Sequence, residues 1–421
     1  MLPLRKSLVA GASLLGALIL SPMPVSGQPQ PAAGGAQPPA RVFNLSPQER
    51  AALVLVQNAI TVKDWAAARA ALPGAVAAAQ SPDARYAVGR FQLEIGLGVS
   101  DVAMQALGLE NVLASGQVPQ ADLPVIYRNQ AVLANNAGDK AKAETAFAKV
   151  VELAPADPEA PVSLAQIKND LRKPKEAVQL ITRAIELKRG AGQKVDETWY
   201  KYALKLAFDG RSDPILRESA QSLSRQLIAV YPTKENWRDA LLIYRDTNDL
   251  DPGADLDLLR FMRASGALAG ERDWYDLIDG LYKAGNFAEA KAVLDDGTAK
   301  RMIDPRKGPF AELIRLVGAR MNGDRASLPE EETKALAGAN GSMALKIGDA
   351  WYGYGEHSRA IALYRAALVK GGVDADLVNT RLAMALLAAG DRAGAQAAFR
   401  SLTGFRRELG AFWLTWLQGR G

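Results

Sequence analysis

At 421 residues the chain exceeds the roughly 250–300 at which single hydrophobic cores stop growing, so several domains or a repeat array are required. With 48% hydrophobic and 23% charged residues, no cysteine and one histidine (His357), it reads as a folded soluble protein. Disulfides, thiolate or histidine-rich metal sites, cysteine nucleophiles and lipoprotein acylation are all excluded. The net charge of +5 falls to 49 bases against 46 acids, or +3, once Arg5 and Lys6 are set aside, and no Lys/Arg run tracks a phosphate backbone, so nucleic acid is not an expected partner.

Residues 1–27 read as a secretory signal peptide. Arg5 and Lys6 precede an uncharged apolar run of 13 residues, Leu8 to Leu20; Pro22 and Pro24 then break the helix, and Val25-Ser26-Gly27 offers small residues for cleavage before Gln28. An uncleaved anchor is the competing reading, but thirteen helical residues span only about 20 Å of a hydrocarbon core roughly 30 Å thick. Residues 28–45, rich in Pro, Gly and Gln, read as a flexible linker with nothing to bury. The expected destination is the periplasm. No later stretch is long and apolar enough to span a bilayer.

Beyond Phe43 the apolar residues recur with helical period and no strand-like alternation persists. A linked pattern then repeats: a turn residue pair, alanine five positions after its first member, and a large apolar residue four later. It runs Gly138-Asp139, Ala143, Phe147; Gly285-Asn286, Ala290, Leu294; Gly355-Glu356, Ala360, Tyr364; and Gly390-Asp391, Ala395, Phe399. Lys63-Asp64, Ala68, Leu72 and Arg172-Lys173, Ala177, Ile181 keep the spacing without the glycine, and Ala143 to Ala177 is 34 residues. Glycine at the turn can adopt the left-handed conformation that ends one helix, and the following polar residue can cap the next. Asn286 and Glu289 have the spacing of a capping box. The small alanine lets two helices approach, the large residue fills the adjoining space, and Pro155 stops a second helix.

This pattern resembles the tetratricopeptide repeat family, W-x2-L-G-x2-Y followed by A-x3-F and P. Trp274, Leu277, Ile278 and Leu281 match its first helix best, with looser matches at Tyr127 and Ala131, Leu164 and Ala165, Ile347, Gly348 and Trp351, and Leu382, Ala383 and Leu386. The resemblance implies an all-α superhelix, a solenoid of antiparallel helix pairs. Ten units are expected, beginning near 49, 82, 124, 158, 197, 234, 271, 309, 341 and 376. Those near 82, 197, 234 and 309 are irregular, with connections such as Gly190–Val195 and Leu328–Gly341. We expect an N-terminal array over 46–250 and a C-terminal array over 251–421, broken around Asp251–Arg272. The aromatic segment Phe412 to Leu417 is expected to form a last helix capping the exposed end.

Catalytic signatures are missing. There is no Walker loop, no G-x-S-x-G elbow and no H-E-x-x-H. His357 reads as a solvated turn residue, Glu330-Glu331-Glu332 after Pro329 as a first helical turn, and Asp295-Asp296 as a helix end. The expectation is a non-enzyme without cofactor or metal.

What the resemblance implies is protein binding, with positions two, five, nine and twelve of each unit facing a concave groove. Carried over, it nominates Arg272, Tyr275, Asp279 and Tyr282 in the unit at 271, and Ser342, Leu345, Asp349 and Tyr352 in the unit at 341. The two Asp and Tyr pairs recur 70 residues apart. The unit at 124 presents Val125, Arg128, Val132 and Asn135, and the unit at 158 presents Gln166 and Asn169 beside Ser163. The basic clamp with which some family members hold a C-terminal carboxylate has no matching residues here. The expected role is an envelope scaffold that binds a protein or peptide. The alternatives are a self-assembling structural protein or, less favoured, an envelope hydrolase with its site in an irregular repeat.

Overall fold

The computed structural model describes residues 42–321 and 323–419; the expected leader and most of the linker lie outside them. Among the described residues there are helices and no strands. The first pairs are α1 (Pro47–Thr61) with α2 (Trp65–Ala78), α3 (Pro82–Gly98) with α4 (Val102–Ala114), and α5 (Leu123–Asn136) with α6 (Lys140–Leu153). Next come α7 (Glu159–Asp170) with α8 (Pro174–Gly190), then α9 (Glu197–Asp209), then α10 (Pro214–Val230) packed on α11 (Lys234–Thr247), followed by α12 (Pro252–Ser265). Then follow α13 (Gly270–Lys283) with α14 (Phe287–Ala299), and α15 (Gly308–Met321) with α16 (Asp324–Ala337). The last are α17 (Ser342–Gly353) with α18 (His357–Lys370), α19 (Ala375–Ala388) with α20 (Arg392–Arg400), and α21 (Arg406–Gln418). The chain is therefore an α-solenoid of antiparallel helix pairs, tetratricopeptide-like in register.

The turn chemistry explains the period. Gly138, Gly285, Gly355 and Gly390 all have φ between 78° and 86°, and Lys63 (57°) and Arg172 (61°) adopt the same left-handed turn where glycine is lacking. Ala68, Ala143, Ala177, Ala290, Ala360 and Ala395 are each fully buried at the helix crossings. Asp64, Asp139 and Asp391 accept the amides of Ala67, Lys142 and Gly394, so each caps the helix that follows. Asn286 does not: it precedes α14 without a side-chain cap hydrogen bond, and the Glu289 carboxylate, which a capping box would turn back to the cap amide, is held by Arg260.

The chain forms two compact units, divided between Ala207 and Phe208. The expected break at 251–272 falls inside the second unit, around a deeply buried helix. In the first unit each helix packs on its near neighbours in sequence. Its tightest pair is α3 with α4, where the sequence pattern is irregular. Here glycine takes the place of alanine: a Cβ on Gly108 would lie 2.5 Å from the Leu93 amide nitrogen, and one on Gly89 would lie 2.7 Å from that of Val112. The unit begins on a capping box in which the Ser46 hydroxyl accepts from the Glu49 amide, and the Glu49 carboxylate accepts from the amides of Ser46, Gln80 and Ser81.

The second unit packs differently, because helices distant in sequence meet. Helix α12 touches α19 and α21 as well as its neighbours α11 and α13, and α14 packs on α17. Seven successive residues of α12, Leu256 to Met262, are buried. One continuous apolar core runs from Ile228 to Leu417. Helix α21 closes this unit: Phe412 packs edge-on against Trp237 and Tyr244, Trp413 lies 4.4 Å from Phe261, and the Tyr244 hydroxyl donates to the Phe405 carbonyl at 2.9 Å. The expected cap thus joins the last helices to the first ones of its own unit. Two other expectations are corrected nearby. The segment 328–341 is mostly helix, with Pro329 inside α16, so Glu330–Glu332 sit in mid-helix, where Glu330 pairs with Lys334 and Glu332 with Arg359. His357 is half-buried at the start of α18, its Nδ1 without a hydrogen-bond partner and its ring 5.6 Å from that of Tyr352.

Candidate protein-binding surface

In the first unit the ends of α5 and α7 carry a chain of polar contacts. Arg128 is ion-paired with Asp157 in the α6–α7 connection. Asn135 accepts a hydrogen bond from the Lys140 ammonium at 2.6 Å, and the same nitrogen lies 2.6 Å from an Asp170 carboxylate oxygen. Asn169 hydrogen-bonds Tyr202 of α9, whose hydroxyl is pushed up by burial and by nearby Asp170. Arg128, Asn135 and Asn169 are half-buried and Gln166 is buried. The four positions nominated on α5 and α7 therefore lie on neighbouring helices, and Lys140, Asp170 and Tyr202 link α5 through α7 to α9.

Beside Asn135 an apolar cleft of about 290 Å³ opens between α4 and α5. Val102, Ala103 and Ala106 form one wall and Leu133, Ala134 and Ala137 the other, with Gln130, Asp139 and Lys142 at its polar edge. Val102 is 52% exposed, and Leu107 on the same helix is 47% exposed. This pairing of apolar cleft and fixed polar rim is the ordinary composition of a protein-binding surface. Sequence reasoning missed Lys140 and Asp170 because they flank the turns instead of facing a groove, and missed Tyr202 because its unit is irregular.

In the second unit the nominated residues separate. On α13, Arg272 is exposed, Tyr275 is 36% exposed against Phe310, Asp279 pairs with Lys283 at 2.6 Å, and Tyr282 is half-buried against Phe287. On α17 the matching pair faces inward. Asp349 is buried, ion-paired with Arg381, and accepts the Tyr364 hydroxyl at 2.8 Å. Burial pushes its carboxyl up from the ordinary value, while Arg381 and Arg260 oppose the shift. The Tyr352 hydroxyl is pushed up to about 12 by burial and by Glu289, with Arg260 and Arg263 opposing. The 70-residue spacing placed Asp279 and Asp349 in the same register, but packing of α14 on α17 gives them different surroundings: a Cβ on Gly353 would lie 2.8 Å from the Glu289 amide nitrogen. Asp349 is therefore not available to a partner in this arrangement.

No group of acidic and histidine side chains among the described residues is arranged to hold a metal ion, and no described helix is long and apolar enough to cross a membrane. A polar cleft lies at Arg211, Ser212, Arg217, Asp246, Thr247 and Asp249, and its Arg211 and Asp246 are paired with each other.

No family model and no curated protein matches the chain. Solved structures do. The chain is similar to a tetratricopeptide repeat protein from Parabacteroides merdae, at 12% identity over 81% of this chain and 100% of that one, with a TM-score of 0.28. It is also similar to a chain of the Naa15/Naa10 structure bound to HypK-THB, at 14% identity over 89% of this chain and 67% of that one, TM-score 0.28. A third similarity is to yeast Tom70, at 12% identity over 81% and 97% of the two chains, TM-score 0.21.

Proposed function

We propose that the protein is a non-catalytic scaffold of the bacterial cell envelope that binds an extended segment or helix of a partner protein on its first unit. One observation carries this reading. The inward side of α17 is covered by the chain's own α14, whereas among the described residues the first unit's helices pack on near neighbours and leave Arg128, Asn135, Asn169 and the apolar cleft half-exposed. The residues recruited would be the half-buried Arg128, Asn135 and Asn169 for hydrogen bonding, with buried Gln166 holding its place behind them and Val102, Ala106 and Leu133 lining the cleft that receives an apolar side chain. A surface held in place by its own ion pairs loses little entropy when a partner docks. The leader-like residues 1–27 are the basis for the envelope assignment. Arg272, Tyr275, Asp279 and Tyr282 form a secondary surface on α13.

The test is in-cell photocrosslinking of the full chain from probes at Gln130, beside the cleft, and at Lys346, exposed on α17. A discrete protein crosslinked from Gln130, not from Lys346, and lost in an Arg128→Ala/Asn169→Ala variant that keeps its helical content supports the reading. Crosslinking only from Lys346 refutes the choice of surface. A crosslink to a second copy of this chain favours self-assembly.

A further inference from the structure

The second unit contains an ionic centre that its repeat pattern does not require. Asp257 on α12 is wholly buried and receives three arginines. Arg260 of the same helix donates to it at 2.9 Å, Arg406 of α21 donates at 3.1 Å, and Arg381 of α19 brings its Nε to 3.6 Å. Each arginine has a further acidic partner. Arg260 makes a two-pronged contact with Glu289 of α14, at 2.9 Å from Nε and 2.5 Å from a terminal nitrogen. Arg381 is paired with Asp349 of α17. Arg406 lies 3.4 Å from Asp251 and 3.5 Å from Asp374, both half-exposed at the rim. The interior set is thus three buried carboxylates and three buried guanidiniums drawn from five helices.

We infer that this network is a latch: it holds α19 and α21 against α12, and losing one of its charges opens that seam without loosening the rest of the unit. Removing one member of a buried ion set leaves its partners uncompensated, which costs more than the complete set contributes. The seam is consequently close to all-or-none. Helix α12 carries the buried charges that meet α19 and α21, beside the apolar contacts of α11 with α21 and the Arg225–Glu408 ion pair, whereas α15 and α16 contribute nothing to the network. Opening the seam parts Arg381 and Arg406 from Asp257, while Arg381 keeps Asp349 of α17 and Arg406 keeps Asp374 at the start of α19. This inference is independent of where a partner binds the first unit.

The experiment is hydrogen–deuterium exchange on the full chain, comparing the parent, Asp257→Asn, and Asp257→Asn/Arg406→Gln. Asparagine keeps the shape and removes one negative charge; the second change removes one positive charge and restores parity. We expect Asp257→Asn to speed exchange at least tenfold in 375–388 and 406–418, with 308–337 and 47–207 unchanged. The double variant should recover part of that protection. Parental exchange in Asp257→Asn overturns the inference. So does uniform loss of protection across the second unit in both variants. If the single variant does not fold, a folded double variant with protected α19 and α21 supports charge coupling, and two unfolded variants overturn it.

Discussion

Phe412→Ala is the substitution that distinguishes a closing helix from a terminal cap. The ring is 1% exposed and packs at 5.6 Å from Tyr244 and 6.3 Å from Trp237, both nearly perpendicular to it and well over a hundred residues away in sequence. Truncating a buried phenylalanine costs about 3–5 kcal/mol, the lost aromatic pairs included. A frayed terminal helix would forfeit under about 1 kcal/mol, because most of the side chain would already be solvated there. For a unit of this size, with a urea slope of about 2–3 kcal/mol/M, the expected fall in midpoint is about 1–2 M. Urea titration should be followed at the second unit's tryptophans, with Trp65 and Trp199 replaced by Phe to silence the first unit. A midpoint shift below about 0.4 M, which corresponds to roughly 1 kcal/mol on that slope, would refute the closing role of α21.

Two further outcomes follow from single residues. Burial acts to raise the Glu49 carboxyl, but the hydrogen bonds from Ser81 and Ser46 outweigh it and hold the group down at about 2. A depressed folded-state value means that its contribution is complete above the unfolded carboxylate range and is lost as pH falls from about 4.5 towards 2. Glu49→Gln should therefore destabilise the first unit by about 1–2 kcal/mol at pH 7, allowing for solvent screening, and by much less near pH 2, as read by thermal melts at the two pH values. Gly108→Ala should destabilise the α3–α4 pair by about 1–3 kcal/mol, since its Cβ would sit 2.5 Å from backbone of Leu93 and neither helix can yield locally. Unchanged thermal stability would show that the two helices are not packed as closely as described.

Much of the architecture was legible because its determinants are local. Unit starts expected near 82, 197 and 234 coincide with helices beginning at Pro82, Glu197 and Lys234, and the expected turn glycines adopt the left-handed conformation. Turn, alanine and large apolar residue lie within ten positions, so the crossing of two helices can be read from one short segment. Even the irregular unit near 82 obeys the same steric rule with glycine at its crossings. What escaped was decided by partners far away in the chain. Glu289 has the spacing of a capping residue but meets Arg260, and Asp349 repeats the register of Asp279 but meets Arg381. The candidate surface on α5 and α7 was located by register, while its links through Lys140, Asp170 and Tyr202 required the packing of three successive units.

The contrast between the two units follows from where charge is tolerated. In the first unit, charged side chains such as Arg128 and Lys140 pair at the edges of the array, where water shares their solvation and the helices need only near neighbours to be satisfied. In α12 the charges Asp257 and Arg260, one turn apart, fall within Leu256–Met262, a stretch that is otherwise apolar and wholly buried. Such a helix is stable neither on a wet convex surface, which would expose Leu256, Leu259 and Phe261, nor in a purely apolar core, which would strand its charges. It requires surroundings that supply both apolar walls and opposite charges. Helices α19 and α21 supply them through Leu382, Trp413, Arg381 and Arg406, and this requirement is what draws the end of the second array back onto its beginning.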